Sequence, residues 1–210
     1  MNQQLSSRRA YRGQSPEQRR AERRARLLAG ALAVYGERGY QQATVKAVCE
    51  AAGLTERYFY ESFANSEALL IDAYLAVTYR MLGEILRAGE AAGACRTARA
   101  RAMLRAYFKA LQRDPRSARV FLVEIRGVSR AVDQAFDASL RTVGNEVARL
   151  LAPEMLEDEL LQAGVIGGVI HIALRWIEAG YRPPIDTVVA TALRLGAALP
   201  APPRGRRPRA

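Results

Sequence analysis

The strongest structural signal in the sequence is the stretch TVKAVCEAAGLTERYFYESF, residues 44 to 63. Its pattern predicts two short helices joined by a tight turn, with Thr44 and Thr55 as N-caps whose hydroxyls accept hydrogen bonds from otherwise unpaired helix N–H groups. Between the helices, residues 51–54 supply small side chains for close helix approach, and Gly53 can adopt positive φ without steric cost. This is the chemistry of a helix-turn-helix, although an ordinary helical hairpin in an all-α domain shows the same local pattern.

Helical periodicity divides these two helices into an inner and an outer face. The apolar residues that must be buried are Val45, Val48, Ala52, Leu54, Phe59 and Phe63. The side chains left outside are Lys46, Glu56, Arg57, Tyr58 and Tyr60. The outer face therefore holds the candidates for contact with a partner.

The context of this stretch strengthens the helix-turn-helix interpretation. A long amphipathic helix ending at Gly39 comes before it, and residues 63–70 open another helix directly after it. With this context the sequence resembles the TetR family of one-component repressors over residues 26 to 72. The residues that carry the resemblance are Gly39-Tyr40, Thr44-Val45, Val48, Ala51-Ala52-Gly53-Leu54-Thr55, Phe59-Tyr60, Phe63 and Glu67-Ala68-Leu69.

The resemblance implies that residues 55 to 61 enter the major groove of DNA and that Tyr60 contacts phosphate. The residues expected at the DNA are Thr44, Lys46, Thr55, Glu56, Arg57, Tyr58, Tyr60 and Ser66. Two departures limit the carry-over: Ser66 stands where the family usually has a phosphate-contacting lysine, and Arg57 and Tyr58 stand where a small residue is usual. The operator sequence therefore does not transfer from the family.

Charge is concentrated at the two ends of the chain. The 210 residues carry a formal net charge of +11, with 50% hydrophobic and 25% charged residues, which is typical of a globular protein. Residues 1 to 26 hold eight arginines and two glutamates, and residues 200 to 210 hold four arginines and no acid. We expect a flexible basic arm at 1–14, a DNA-binding domain at 15–64, a ligand-binding and dimerisation domain at 65–199 and a disordered basic tail at 200–210.

Between the arm and the tail the sequence shows helical patterns and no convincing strand, so we expect an all-α protein of about nine helices. Ser15, Pro16 and Gln18 predict the start of the first helix through a capping box, and Leu28, Leu32 and Tyr35 predict its buried stripe. Beyond the head, further helices are predicted from Asn65 toward Gly89, at 97–112, from Asp114 to near Gly127, from Ser129 to Leu151, at 154–179 and at 185–199.

The composition argues against catalysis. The chain has one histidine and two cysteines, with no glycine-rich phosphate loop and no metal-ligand spacing, so we expect no enzyme activity, no metal and no cofactor. Cys49 and Cys95 are expected to be reduced thiols of a cytoplasmic protein, Cys49 as a small core residue. The longest apolar run, 163–174, is about half the roughly 20 residues of a membrane span, which predicts no membrane segment.

The family resemblance implies a ligand cavity among the later helices and a two-fold dimer. Aromatic and Met residues on these helices favour a lipophilic or aromatic effector. The residues considered for the cavity are Met103, Tyr107, Phe121, Glu124, Phe136, His171 and Trp176. For His171 a hydrogen-bonded core position is the alternative, and for Glu124 a solvent-facing one. Small residues, including Ala163, Gly164, Gly167 and Gly168, indicate either internal packing or a homodimer interface.

Together these features predict a DNA-binding transcriptional regulator, a ligand-responsive repressor that binds a pseudo-palindromic double-stranded operator as a homodimer. Two alternatives stay open from sequence. One is a ligand-binding helical protein with a degenerate head, consistent with Ser66 and with the net charge of −1 over residues 27–66. The other is a non-specific DNA-coating protein that acts through its basic tails.

Overall fold

The computed structural model describes residues 15–197, and within that range it contains nine α-helices and no strand. The basic arm and the basic tail expected from the sequence lie outside the described residues. The helices are α1 (Pro16–Arg38), α2 (Val45–Ala52), α3 (Glu56–Ser62), α4 (Ser66–Ala91), α5 (Arg96–Arg113), α6 (Pro115–Arg119), α7 (Arg130–Leu151), α8 (Glu159–Glu178) and α9 (Ile185–Ala197). We call α1 to α3 the head and α4 to α9 the body.

Helix starts are set by local side-chain chemistry, as the sequence predicts. At α1 the Ser15 hydroxyl accepts from Gln18 N at 3.1 Å, and the Gln18 side chain accepts from Ser15 N at 2.8 Å, which completes the capping box. Asn65, Asp114 and Ser129 each accept a backbone N–H three residues further on, at the starts of α4, α6 and α7.

Two helix boundaries differ from the sequence prediction. The helix expected from residue 154 begins at Glu159, because Pro153–Met155 form a 3-10 turn and the Asp158 carboxylate caps Leu161 N at 2.8 Å. The single helix expected from Asp114 to near Gly127 is instead the short α6 followed by a π-helical turn, Val120–Glu124. Such π turns occur often at functional sites.

The head has a continuous apolar core between α1 and the helix-turn-helix. The buried stripe of α1 is centred on Leu27, Ala31 and Tyr35, whereas the expected Leu28 and Leu32 are half-buried at its edge. Further along, α2 and α3 contribute Val48, Cys49, Ala52 and Phe59 to this core, as predicted. Gly30 allows close packing of α1 on α2, because a Cβ there would lie 2.8 Å from the Val48 carbonyl oxygen.

The body continues the same core through α4. Its inner face, with Leu70, Tyr74 and Val77 fully or almost fully buried, packs against α5 and α7. Helices α8 and α9 pack against each other and cover α7 and α5 respectively. Helix α8 has the length and the apolar composition of a membrane-crossing helix. Only 22% of its 18-residue apolar window is buried within the protein.

Candidate DNA-binding head and effector cavity

Helix α3 presents an exposed outer face while its inner face anchors it. Phe59 is fully buried and contacts the rings of Tyr60 and Phe63 at centroid distances of 5.1 and 5.9 Å. On the outside, the Arg57 side chain is 84% exposed, and Tyr60 is 61% exposed. Glu56 and Thr55 are exposed on the same helix end. A rigid helix with a polar, exposed face has the form needed to read the major groove.

The remaining head residues considered for DNA binding are placed less uniformly. Lys46 and Thr44 are exposed, and the Thr44 hydroxyl caps α2 by accepting from Ala47 N at 3.1 Å. Ser66, the first residue of α4, is half-buried. Tyr58 does not point outward as expected: it is half-buried, with the Arg23 guanidinium 4.6 Å above its ring.

Thr55 is not the side-chain cap that the sequence predicts. The Thr55 hydroxyl makes no hydrogen bond to α3, because the Tyr58 N–H donates to the Thr55 backbone carbonyl instead, at 3.0 Å. The hydroxyl, which makes no hydrogen bond within residues 15–197, is therefore left at the exposed start of the helix. An N–H-rich helix start with a spare hydroxyl suits contact with a phosphate oxygen.

The arginines of α1 hold the helix-turn-helix in place, a role that the sequence interpretation missed. Arg26 donates from Nε to the Ala52 carbonyl at 3.0 Å and from its second nitrogen to the Gly53 carbonyl at 2.9 Å, at the end of α2. Arg20 and Arg24 donate to the carbonyls of Glu61 and Ser62 at the end of α3, at 3.2 and 2.8 Å. Cations at helix C-termini satisfy unpaired carbonyls and complement the helix dipole.

These contacts occupy much of the arginine-rich side of α1. Arg20 and Arg24 donate to carbonyls of the head, and Arg24 also pairs with Asp72 of α4. Arg23 lies over Tyr58 and 3.9 Å from Glu61. The only signal in the sequence was the i, i+4 spacing of Arg20 and Arg24, which identifies a shared face but not what it covers.

The body encloses an apolar cavity of about 790 Å³ between α4, α5, α7, α8 and α9. This volume is within the range of sites that hold drug-sized ligands, roughly 300–1,000 Å³. Its wall is made mostly of aliphatic side chains with a few aromatic and sulfur-containing ones; examples are Met81, Leu104, Leu140, Val147, Ile166 and Val169. A wall of this composition suits a lipophilic molecule.

Three of the seven residues considered for the cavity line it: Met103, Tyr107 and Phe121. The other four do not. Trp176 lies in the core, where its indole N–H donates to the Pro183 carbonyl at 2.8 Å. The Phe108 ring packs edge-on against the indole, with ring centroids 5.6 Å apart. The Phe136 ring packs on the Tyr74 ring with centroids 5.9 Å apart, and the Arg126 guanidinium lies 4.9 Å from the Phe136 ring centroid.

The structure places His171 and Glu124 in neither of the two positions that the sequence left open for each residue. His171 is exposed on the outer side of α8, so it is neither a core histidine nor a cavity residue. Glu124 has a side chain only 10% exposed, and it contacts the head rather than the cavity or the solvent. A periodic pattern places a residue on a helix face, but the neighbour of that face is decided by tertiary packing.

Polar groups of the cavity wall lie mainly at its rim. Arg96, Arg101 and Arg194 line the cavity and are exposed to solvent. Arg96 pairs with Glu154 at 2.6 Å, whereas Arg101 and Arg194 make no hydrogen bond or ion pair in the described part of the chain. Two guanidinium groups at the opening of an apolar cavity are positioned to hold an anionic group.

Deeper in the wall, Tyr107 carries a buried hydroxyl without a hydrogen-bond partner. Burial raises the pKa of Tyr107 above its usual value, which favours the neutral phenol. Gln162 is also buried, and its amide donates to the Met155 carbonyl at 2.8 Å. The Gln162 side chain has room there because the facing residue of α7 is Gly144, where a Cβ would lie 2.7 Å from the Gln162 Oε1.

The outer face of α8 consists mostly of small and apolar residues, and it is exposed in the described part of the chain. Leu160 is 86% exposed, and Ala163, Gly164, Gly167 and His171 follow it on the same side. A Cβ added at Gly164 or Gly167 would meet nothing within 4 Å, whereas one at Gly168 would clash with Leu195 of α9. Of the small residues noted in the sequence, Gly168 therefore serves internal packing, and the others leave a smooth open face.

Comparison with known proteins agrees with this geometry. Residues 27–73 match the family of bacterial regulatory proteins of the tetR type, which covers the helix-turn-helix and the first part of α4. No curated protein matches the chain.

Several solved structures are similar in fold. The fatty acid degradation regulator FadR from Bacillus halodurans aligns with a TM-score of 0.71 at 20% identity, covering 87% of this chain and 95% of that chain. FadR from Bacillus subtilis, solved in complex with stearoyl-CoA, aligns with a TM-score of 0.68 at 20% identity over 81% and 96%. A transcriptional regulator from Pseudomonas aeruginosa PAO1 gives 0.67 at 23% identity over 88% and 91%.

Proposed function

We propose that this chain, a member of the TetR family of bacterial regulatory proteins by its N-terminal domain and its fold, is a ligand-responsive repressor that binds a pseudo-palindromic operator as a homodimer. The observation that carries the proposal is the outer face of α3, where Arg57 and Tyr60 stand exposed while carbonyls at the end of the helix are bound by Arg20 and Arg24 of α1. An exposed polar face on an anchored helix suits reading of base edges.

The dimer is supported by the outer face of α8. An apolar helix with 22% of its apolar window buried leaves a surface that water solvates poorly, and length and composition alone do not distinguish a membrane span from a subunit interface. Small residues at Gly164 and Gly167 allow a second copy of α8 to approach closely. Two heads related by a two-fold axis would then meet half-sites about one helical turn apart, roughly 34–36 Å.

Two separate glycine-to-arginine substitutions, one a test and one a control, probe this interface. Gly167→Arg fills open space in the single chain and should convert a dimer into monomers, because it places a charge in the apolar contact. Gly83→Arg on α4, where an added Cβ meets only the flexible end of Arg87 at 3.7 Å, is the matched control and should stay dimeric. Analytical ultracentrifugation gives the answer, and a dimeric Gly167→Arg protein would exclude this face as the interface.

The effector we propose is an amphipathic molecule with an apolar body and an anionic group. The apolar cavity supports the first part, and Arg101 and Arg194 at its rim support the second. The similarity in fold to a regulator solved with stearoyl-CoA is consistent with this chemistry. Binding of such a molecule would shift the population of dimers toward a head spacing that no longer fits the operator.

The effector proposal can be tested with stearoyl-CoA as the probe. Replacing Arg101 and Arg194 together with alanine should weaken probe binding by about tenfold or more, whereas Arg141→Ala on the exposed side of α7 should not. In a gel mobility shift with DNA from upstream of the gene, the probe should release the wild-type protein. Release that is equally efficient in the double variant would refute the role of the two rim arginines.

A further inference from the structure

The π-helical turn after α6 contacts both the cavity and the head. Phe121 lines the cavity and stacks on Tyr74 of α4, with ring centroids 5.8 Å apart and an interplanar angle of 13°. Glu124 stands three residues further on in the same turn and points to the head. The two side chains belong to one turn of five residues, so a shift of the backbone of this turn displaces both.

Glu124 holds the head through its carboxylate. One oxygen accepts the backbone N–H of Tyr40 at 2.7 Å, and the other accepts from Arg119 Nε at 2.7 Å. Arg119 in turn donates to the Glu37 carbonyl at 3.4 Å. Tyr40 lies between α1 and α2, so this carboxylate is bonded to the backbone that leads directly into the helix-turn-helix.

Two glycines at the end of α1 allow the close approach that this contact needs. A Cβ at Gly36 would lie 2.5 Å from Cβ and 2.8 Å from Cα of Arg116, so only glycine allows α6 to pack there. Gly39 has φ of +83°, and a Cβ there would lie 3.0 Å from the Arg119 guanidinium and 3.2 Å from a Glu124 oxygen. The close fit means that α6 and the end of α1 move together or separate.

We propose that Glu124 is a positioning residue that transmits the state of the cavity to the DNA-binding head, through the path from Phe121 to Glu124 to the Tyr40 amide. The inference rests on the proposed function and adds the route by which the two sites are coupled. A molecule in the cavity displaces Phe121, the π turn shifts with it, and the Tyr40 amide follows the Glu124 carboxylate. The head then takes a different position relative to the body.

A double-mutant cycle on DNA affinity tests the route without needing the natural effector. Phe121→Leu alters the cavity wall on the π turn, and Glu124→Ala removes the carboxylate that is bonded to the Tyr40 amide. We expect Phe121→Leu to change affinity for DNA from upstream of the gene by about threefold or more in the wild-type background, and to have no effect in the Glu124→Ala background. Glu146→Gln removes a carboxylate that pairs with Arg149 on the exposed side of α7, and it should leave the Phe121 effect unchanged.

Amide hydrogen exchange supplies the second readout. The Tyr40 amide should exchange about tenfold faster or more in Glu124→Ala, while Glu124→Gln, which keeps an oxygen acceptor, should retain much of the protection. DNA binding with additive effects of Phe121→Leu and Glu124→Ala would overturn the coupling route and leave the proposed function standing. A folded protein that binds DNA in none of these forms would overturn both.

Discussion

Replacing Arg57 with alanine should separate DNA recognition from stability more cleanly than any other change in the head. The Arg57 side chain is 84% exposed, and its only partner within residues 15–197 is Glu61, one turn along α3, at 3.0 Å. An exposed i, i+4 ion pair contributes about 0.3–0.5 kcal/mol to stability. The melting temperature of Arg57→Ala should therefore fall by no more than roughly 2 °C.

The effect on DNA should be much larger. If Arg57 donates to a base edge in the major groove, its loss costs about 1–3 kcal/mol for each half-site, which is about 5-fold to 150-fold in affinity. The loss should be confined to one base pair of the half-site, where discrimination between bases disappears. Arg57 must leave Glu61 to reach the DNA, and because that pair is weak the exchange costs little.

Fluorescence anisotropy on a set of operators that differ at single base pairs measures both quantities. Arg141→Ala is the control, since Arg141 is exposed on α7 and makes no hydrogen bond or ion pair in the described part of the chain. An Arg57→Ala protein with an unchanged base preference at every position would refute the reading role. A fall in affinity that is equal for all sequences would assign Arg57 to the phosphate backbone instead.

Three further predictions concern the head and the arm. Tyr60→Phe should weaken binding to all DNA sequences alike without changing the melting temperature, because the ring is 61% exposed and the hydroxyl is assigned to phosphate; early melting would make it structural. Arg26→Ala should lower the free energy of unfolding by about 1–2 kcal/mol, since two carbonyls at the end of α2 lose their donors, and unchanged chemical denaturation would contradict this. Deletion of residues 2–14 should lower affinity for specific and random DNA by similar factors and reduce the salt slope by about 0.9 per lost phosphate contact; superimposed salt curves would exclude the arm from DNA binding.

Much of the fold could be predicted because helix ends depend on local chemistry. Ser15 with Gln18, Asn65 and Asp114 each fix a boundary through a hydrogen bond to a residue three positions away, and the sequence shows all the participants. Thr55 is also a residue that favours the N-cap position, yet the Tyr58 amide donates to the Thr55 backbone carbonyl and not to its hydroxyl. The competition between a backbone and a side-chain acceptor cannot be read from the residue type.

The candidate sites were harder to predict because they depend on which faces meet. Phe121 and Trp176 are both aromatic residues on body helices, but one lines the cavity and the other fills the core. The role of Glu124 needs a head residue, Tyr40, that is 84 positions away in the chain. The rim arginine Arg194 lies on the last helix and contributes to the cavity only because α9 folds back against α5.

Selection from random DNA with the full-length protein at moderate salt tests whether a two-fold dimer binds DNA sequence-specifically. We expect enrichment of an inverted repeat whose half-site centres lie about one helical turn apart, roughly 34–36 Å. The Arg57→Ala protein should lose one position in each half-site of that repeat. Retention of random DNA without any enriched sequence, or failure to retain DNA at all, would rule out sequence-specific binding by a dimer.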